Sequence, residues 1–260
     1  MNINLKNKYA LVTGGSLGIG RSIALVLAEE GCNVAICGLD KQEIEKTTEE
    51  IKAKGVKGLG IIADVRILTD VERVIQTIID SWGTIDILIN NVGGGGGRIS
   101  TSIEETPEEI WLDVYNKNAL AAIRFTTRAI PFMKKNKWGR VVTIASLQGK
   151  EGGGRPWYNM AKSAEISLMK TLAMDKELSG QGITFNSIAP GAIIFDNNEW
   201  DVFRRENPEK FKNMVDLKHP LGRLGTPEEI ANIVAFLCSE KSGLVNGACI
   251  QADGGESKSF

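Results

Sequence analysis

Short, almost uninterrupted apolar runs alternate with amphipathic stretches along most of the 260 residues, and that alternation constrains the fold more than any other feature. The runs are Lys8–Thr13, Val34–Cys37, Gly58–Ala63, Ile85–Ile89, Arg140–Ala145, Ile183–Ala189 and Ala248–Gln251. A strand with one wet face alternates apolar and polar residues, so runs without that alternation are strands covered on both faces. Between them lie helical spacings at Arg21–Glu30, closed by Gly31, and at Lys41–Lys54, closed by Gly55. Further helices are expected at Thr69–Trp82, with Thr69 as N-cap and Gly83 as the stop, at about 107–135, and from Pro156 to about Leu178. Strands alternating with helices predict a doubly wound Rossmann α/β fold: one domain over residues 1–260, a parallel sheet of about seven strands, and helices on both faces. Only 191–221, rich in Asn, Asp, Trp and charge, breaks the alternation. It is expected to be a substrate lid, which is compatible with a peripheral helical hairpin.

Composition narrows the function by exclusion. With 42% hydrophobic and 24% charged residues and a net charge of −1, no domain-wide basic excess exists for nucleic acid or an acidic membrane. Lys134, Lys135 and Lys137 read as a solvated helix end. Cys32, Cys37, Cys238 and Cys249 form no CxxC pair, and the first two flank an apolar run, as buried thiols in a reducing compartment would. No signal-peptide core or membrane-length apolar run is present, so a cytoplasmic protein is expected. The single histidine, His219, rules out a triad needing a second one and argues against a zinc site, so no metal is expected. At the lid's exit, His219 reads as structural.

Two stretches carry chemistry. The turn Thr13-Gly-Gly-Ser-Leu-Gly-Ile-Gly20 joins a strand to a helix, where glycines permit close backbone approach and the helix N-terminus attracts a pyrophosphate. The other runs from Ser146 through a glycine-rich loop to Tyr158 and Lys162. Four residues apart on a helix, phenol and ammonium share one face, and the cation favours the phenolate. Ser146, delivered by a neighbouring strand end, is placed to hold a carbonyl or alcohol oxygen. Asp64, ending the third strand, suits an adenine amino group or a loop cap.

The turn at 13–20, Asn90-Asn-Val-Gly93, Asn118, Ser146, Tyr158-x-x-x-Lys162, Pro190-Gly191, LGRLGTPEEIA at 221–231 and Ala252-Asp-Gly-Gly255 together resemble the classical short-chain dehydrogenases/reductases, across essentially the whole chain. Its general look is similar to the 3-oxoacyl-[acyl-carrier-protein] reductase branch. The resemblance implies a catalytic set: Ser146 orients the substrate oxygen, Tyr158 is the general acid/base, Lys162 assists it and binds the nicotinamide ribose, and Asn118 holds a relay water. It implies NAD(P) contacts at Gly14, Ser16, Leu17, Gly18, Ile19 and Gly20 in the turn, and at Leu39, Asp64 and Val65 after the next two strands. Asn91, Gly93, Tyr158, Lys162, Pro190, Gly191 and Ile193 complete that set. It also implies a homotetramer or homodimer with the 107–135 and 157–178 helices at a shared interface. Ile123, Ala164, Leu168 and Leu172 serve either that contact or the core.

Three departures qualify the resemblance. The second strand ends at Gly38, without the carboxylate that would bind a ribose 2′-hydroxyl, and Leu39 and Leu17 stand where arginines often bind a 2′-phosphate. Asp40 and Lys41 suit a ribose, a phosphate or a helix start. The balance leans slightly to NADP(H). Phe195 stands where relatives place a threonine against the carboxamide. Two glycine-rich loops end in Arg98 and Arg155, which are expected to grip an anionic or highly polar substrate, with Gln148 nearby and Trp157 or Trp200 as a wall. The leading expectation is therefore NAD(P)-dependent hydride transfer between nicotinamide and a carbonyl or secondary alcohol of a small polar or anionic molecule. The alternatives are a 3-oxoacyl-thioester reductase and, in another class, a non-catalytic dinucleotide-binding regulator. A P-loop hydrolase fails for want of Lys-Ser or Lys-Thr at the end of the turn.

Overall fold

The apolar runs become strands, and their alternate residues feed two cores. In the computed structural model, which describes residues 3–95 and 102–259, seven parallel strands form one sheet. They are β1 (Tyr9–Thr13), β2 (Asn33–Gly38), β3 (Gly58–Ile62), β4 (Ile87–Asn90), β5 (Gly139–Ile144), β6 (Ile183–Pro190) and β7 (Cys249–Ala252). Their order is β3-β2-β1-β4-β5-β6-β7. Because side chains alternate across a strand, Leu11 and Val12 enter opposite cores. Val12, Ile36 and Val142 pack with α1 (Gly18–Glu29), α2 (Lys41–Ala53) and α10 (Pro227–Cys238) on one face. Leu11, Val141 and Phe185 pack on the other with α3 (Leu68–Trp82), α5 (Ala121–Asn136) and α6 (Pro156–Met174). Leu168 and Leu172 lie half-buried against this second core. The strand order reverses between β1 and β4, which opens a crevice at the carboxyl ends of the strands, where open α/β sheets bind ligands.

Several boundaries differ from the sequence reading. Thr69 caps nothing: α3 begins one residue earlier, after Ile67, without a side-chain cap. The Asp70 carboxylate in its first turn instead accepts the Asp64 N–H at 2.8 Å. Gly83 does stop α3, at a φ of 76°. The tyrosine helix α6 ends at Met174, short of Leu178, because Asp175 starts a new turn, α7 (Lys176–Ser179), by accepting the Glu177 N–H at 2.8 Å. The helix expected over 107–135 is α4 (Glu108–Tyr115), a π-helical turn at Asn116–Leu120, then α5. Residues 191–221 contain a helical hairpin, α8 (Glu199–Glu206) and α9 (Pro208–Lys218), whose Val215, Phe211 and Trp200 pack with Ala192 and Leu224. No helix of the described residues is long and apolar enough to cross a membrane.

The start of α10 is fixed by a capping box: Thr226 accepts the Glu229 N–H, and Glu229 accepts the Thr226 N–H at 2.9 Å. Thr226→Ala is expected to cost about 1 kcal/mol, lowering the melting temperature by roughly 2–4 °C. A calorimetric melt of the variant beside the parent protein checks this.

Candidate active site

The glycine turn is bolted to the crevice by Asn91, just beyond β4. Its amide donates to the carbonyls of Thr13 and Gly14 at 2.9 and 3.1 Å, while the Thr13 hydroxyl accepts the N–H groups of Asn91 and Val92. A side chain at Gly20 would run into the Gly14 carbonyl and that same amide, which is why the turn closes so tightly. The N-terminus of α1 then emerges without a side-chain cap and with no acidic residue in its first turn. Uncapped N–H groups beside close-packed backbone fit a dinucleotide pyrophosphate.

The π turn delivers Asn118. Its amide donates to the Val114 carbonyl at 2.7 Å and the Gly94 carbonyl at 3.1 Å, and its oxygen accepts the Gly94 N–H at 3.1 Å. Both amide hydrogens are thus committed to backbone, and the side chain clamps the loop after β4. A Cβ at Gly93 would sit 2.5 Å from Asn118 Oδ1 and 2.8 Å from Lys162 Nζ, so only glycine passes between them. Lys162 is 2% exposed; it donates to the Ile144 carbonyl at 2.9 Å and pairs with Glu165 at 2.9 Å. Burial alone would depress the Lys162 ammonium, but the neighbouring Glu165 and Tyr158 hold it above its ordinary value. Burial pushes the Glu165 carboxyl up to about 7 against the pull of Lys162.

Ser146 ends the extended chain after β5 and accepts the Gln148 N–H at 3.2 Å, so its oxygen is fixed at the crevice. Arg155 precedes α6, whose first residue is Pro156, and the helix then presents Tyr158 and Lys162 on one face; the Lys162 Nζ lies 5.7 Å from the centre of the Tyr158 ring. Two adjoining cavities meet here. One, of about 340 Å³, is lined by Ile19, Asn91, Gly93, Lys162, Ile193 and Phe195. The other, of about 530 Å³, is lined by Gln148, Gly154, Arg155, Ala192 and Glu256. Ser146, Tyr158, Pro190, Gly191, Glu199 and Trp200 border both.

The remaining expected residues divide. Leu17 and Gly18 lie in a groove on the far side of Phe195, whose ring rests on Gly18. Ser16 is buried, and its carbonyl accepts the Thr47 hydroxyl at 3.1 Å. Val65 is core, and Leu39 stands 66% exposed just past β2. The Asp40 carboxylate caps α2, accepting the Gln42 and Glu43 N–H groups at 2.9 and 3.1 Å, and Lys41 faces Glu45. Asp64 is held by Arg66 at 2.7 Å, a pairing that keeps its carboxyl below the usual carboxylate range. Arg66 in turn reaches Asp113 at 2.9 Å.

Of the residues expected to meet substrate, Gln148, Arg155 and Trp200 line the larger cavity. Trp157 does not: it is 1% exposed, packs edge-on against Trp111, and donates to the Gly95 carbonyl at 2.9 Å, thereby shaping the loop instead of the wall. Arg155 reaches the same carbonyl at 3.3 Å. Arg98 lies outside the described residues. Sequence reading missed three carboxylates. Glu199 borders both cavities, and Glu256 returns from the C-terminal segment to accept the Ala192 N–H at 2.7 Å, with His219 at 3.7 Å behind it. Neither had a motif to mark it. Glu165 did have a signal, its i,i+3 spacing from Lys162.

Comparison with known proteins gives the chain's family. A family model described as enoyl-(acyl carrier protein) reductase matches residues 14–257. A 3-oxoacyl-[acyl-carrier-protein] reductase of Staphylococcus aureus is 38% identical over 250 residues, covering 95% of this chain and 97% of its own. A (2S)-[(R)-hydroxy(phenyl)methyl]succinyl-CoA dehydrogenase subunit of Thauera aromatica is 34% identical, covering 98% of each chain. The structure of L-sorbose reductase from Gluconobacter frateurii, complexed with NADPH and L-sorbose, superposes with a TM-score of 0.91 at 30% identity over 100% of each chain. The chain therefore belongs to the short-chain dehydrogenase/reductase family, as an NAD(P)-dependent oxidoreductase acting on carbonyl or alcohol groups.

Proposed function

We propose that the protein reduces a small, polar, polyhydroxylated ketone with NADPH, Tyr158 donating the proton. The observation that carries this reading is that Ser146 and Tyr158 border both cavities. A carbonyl oxygen held between the two hydroxyls therefore has the smaller cavity on one side and a polar chamber on the other. The bound dinucleotide supplies the hydride. Ser146 orients the oxygen, Tyr158 delivers the proton to it, and the Lys162 ammonium stabilises the phenolate left behind. Asn118 holds the loop that borders the reacting centre.

Two features support the substrate class. The larger cavity mixes the Arg155 cation with the Glu199 and Glu256 carboxylates and the Gln148 amide, a lining suited to hydroxyls that both donate and accept. The superposing reductase was solved with L-sorbose. Support for NADPH over NADH comes from the end of β2, where Asp40, the first carboxylate, is committed to capping α2. A second reading, a 3-oxoacyl-thioester reductase, draws support from the Staphylococcus relative. The presence of Tyr158 and Lys162 argues against a non-catalytic regulator. We further propose a cytoplasmic homotetramer or homodimer, with Leu112 and Tyr115, exposed on α4, available to the contact, and 191–221 serving as a lid over the substrate. The partner molecule in this reading is the small substrate, with no nucleic acid or membrane involved.

Turnover with L-sorbose and with acetoacetyl-CoA, each with NADPH and NADH, tests the assignment. The expected order is ketose over thioester and NADPH at least tenfold over NADH in kcat/KM; the reverse on either axis overturns that part. Tyr158→Phe is expected to lower kcat by at least about a hundredfold while leaving NADPH affinity within a few-fold. Arg155→Ala is expected to raise KM for the best ketone by about tenfold with kcat little changed, as loss of a substrate-binding contact would. An unchanged KM removes Arg155 from the substrate.

A further inference from the structure

Behind the tyrosine, on the side away from the substrate cavity, lies a carboxylate that the reaction just described does not use. Glu165 is 1% exposed, sits one helical turn after Lys162 on α6, and places Oε2 2.9 Å from the lysine nitrogen. An ionised carboxylate with this little solvent persists only where a specific cation faces it. Among the described residues, Lys162 is the one charge that acts on it. On the elements packed against α6, Asp113 and Lys117 pair with each other and Glu108 and Glu109 are exposed. Arg140 of β5 donates to the Gly139 and Gly182 carbonyls and lies over Trp138. Lys150 donates to Gln251, and Lys176 and Glu177 of α7 are exposed.

The pairing alters what the lysine contributes. An isolated ammonium at this depth opposes any positive charge brought into the smaller cavity it lines. Oxidised nicotinamide is cationic and reduced nicotinamide is neutral. A carboxylate behind the ammonium cancels much of its field at that range while leaving its hydrogen bonds in place.

We infer that Glu165 is a charge-balancing residue: by offsetting the Lys162 ammonium it sets how well the site holds oxidised relative to reduced nicotinamide dinucleotide. The inference rests on the dinucleotide assignment and on no particular substrate. Glu165 protonates as pH falls through about 7, which leaves the ammonium uncompensated. The relative affinity for the oxidised form therefore falls on the acid side.

The test measures dissociation constants for NADP+ and NADPH by calorimetry at pH 8 and pH 6, for the wild-type protein and for Glu165→Gln. Their ratio is the readout, because the cofactor's own 2′-phosphate, which titrates near pH 6, affects both forms alike and cancels. In the wild-type protein the ratio Kd(NADP+)/Kd(NADPH) is expected to rise by roughly fivefold from pH 8 to pH 6. In Glu165→Gln it is expected to stay at the wild-type pH 6 value at both pH values. Glu165→Leu, apolar and of similar volume, provides the same neutral state should the glutamine variant fold poorly. A ratio that is flat with pH in the wild-type protein, or unchanged in both variants, overturns the proposal, since a merely structural Glu165 would change stability without separating the two redox forms. If neither nucleotide binds the wild-type protein, the dinucleotide assignment falls and takes the inference with it.

Discussion

A lysine ammonium with almost no access to water is the constraint around which the centre of this protein is arranged. Desolvating such a charge costs several kcal/mol unless fixed dipoles and counter-charges replace the water. Three groups from two pieces of chain surround it: the carbonyl of Ile144 where β5 ends, and on α6 the carboxylate of Glu165 and the Tyr158 ring. The loop after β4 must then pass the nitrogen without a side chain, and Gly93 meets that need. The same groups hold the nitrogen 5.7 Å from the centre of the Tyr158 ring.

The sheet explains why these pieces meet. With all seven strands parallel, every carboxyl end opens on the same edge, and the reversal of order between β1 and β4 parts the flanking helices there. The glycine turn follows β1, the Asn91–Gly94 loop follows β4, Ser146 follows β5, and Pro190-Gly191 closes β6. Residues as far apart in sequence as Gly14 and Gly191 therefore share one crevice through strand register alone. Thr13 and Asn91, hydrogen-bonded across it, tie the turn after β1 to the loop after β4.

Most of this was legible because local pattern and tertiary outcome agreed. Apolar runs became buried strands, and Gly83 became a left-handed stop. Tyr158 and Lys162 stood one helical turn apart, and the strand before Ser146 ended at the same crevice. The failures came where a side chain had a local competitor. Trp157 reads as a substrate wall beside a glycine loop, yet its indole nitrogen finds the Gly95 carbonyl and the ring turns inward. Asp40 reads equally as a ribose ligand or a helix start, and of these alternatives the two adjacent N–H groups take it for the helix. Glu199 and Glu256 are brought to the cavity by a helical hairpin and a returning C-terminal segment, neither of which has a period that a sequence reveals.

The π turn at Asn116–Leu120 carries no glycine or proline, and nothing in its composition announces it. It accommodates one residue more than a regular helix allows between α4, which backs Trp157, and α5, which enters the core through Phe125 and Met133. Removing a residue there would let the chain run on as an ordinary helix, with better hydrogen bonds and nothing to mark it as damaged. Yet α5 would then be rotated by about 100° relative to α4, so either Asn118 would leave Gly94 or the core face would turn to solvent. The length of this segment, as much as the identity of Asn118, therefore keeps the Gly94 clamp and the α5 core face in place together.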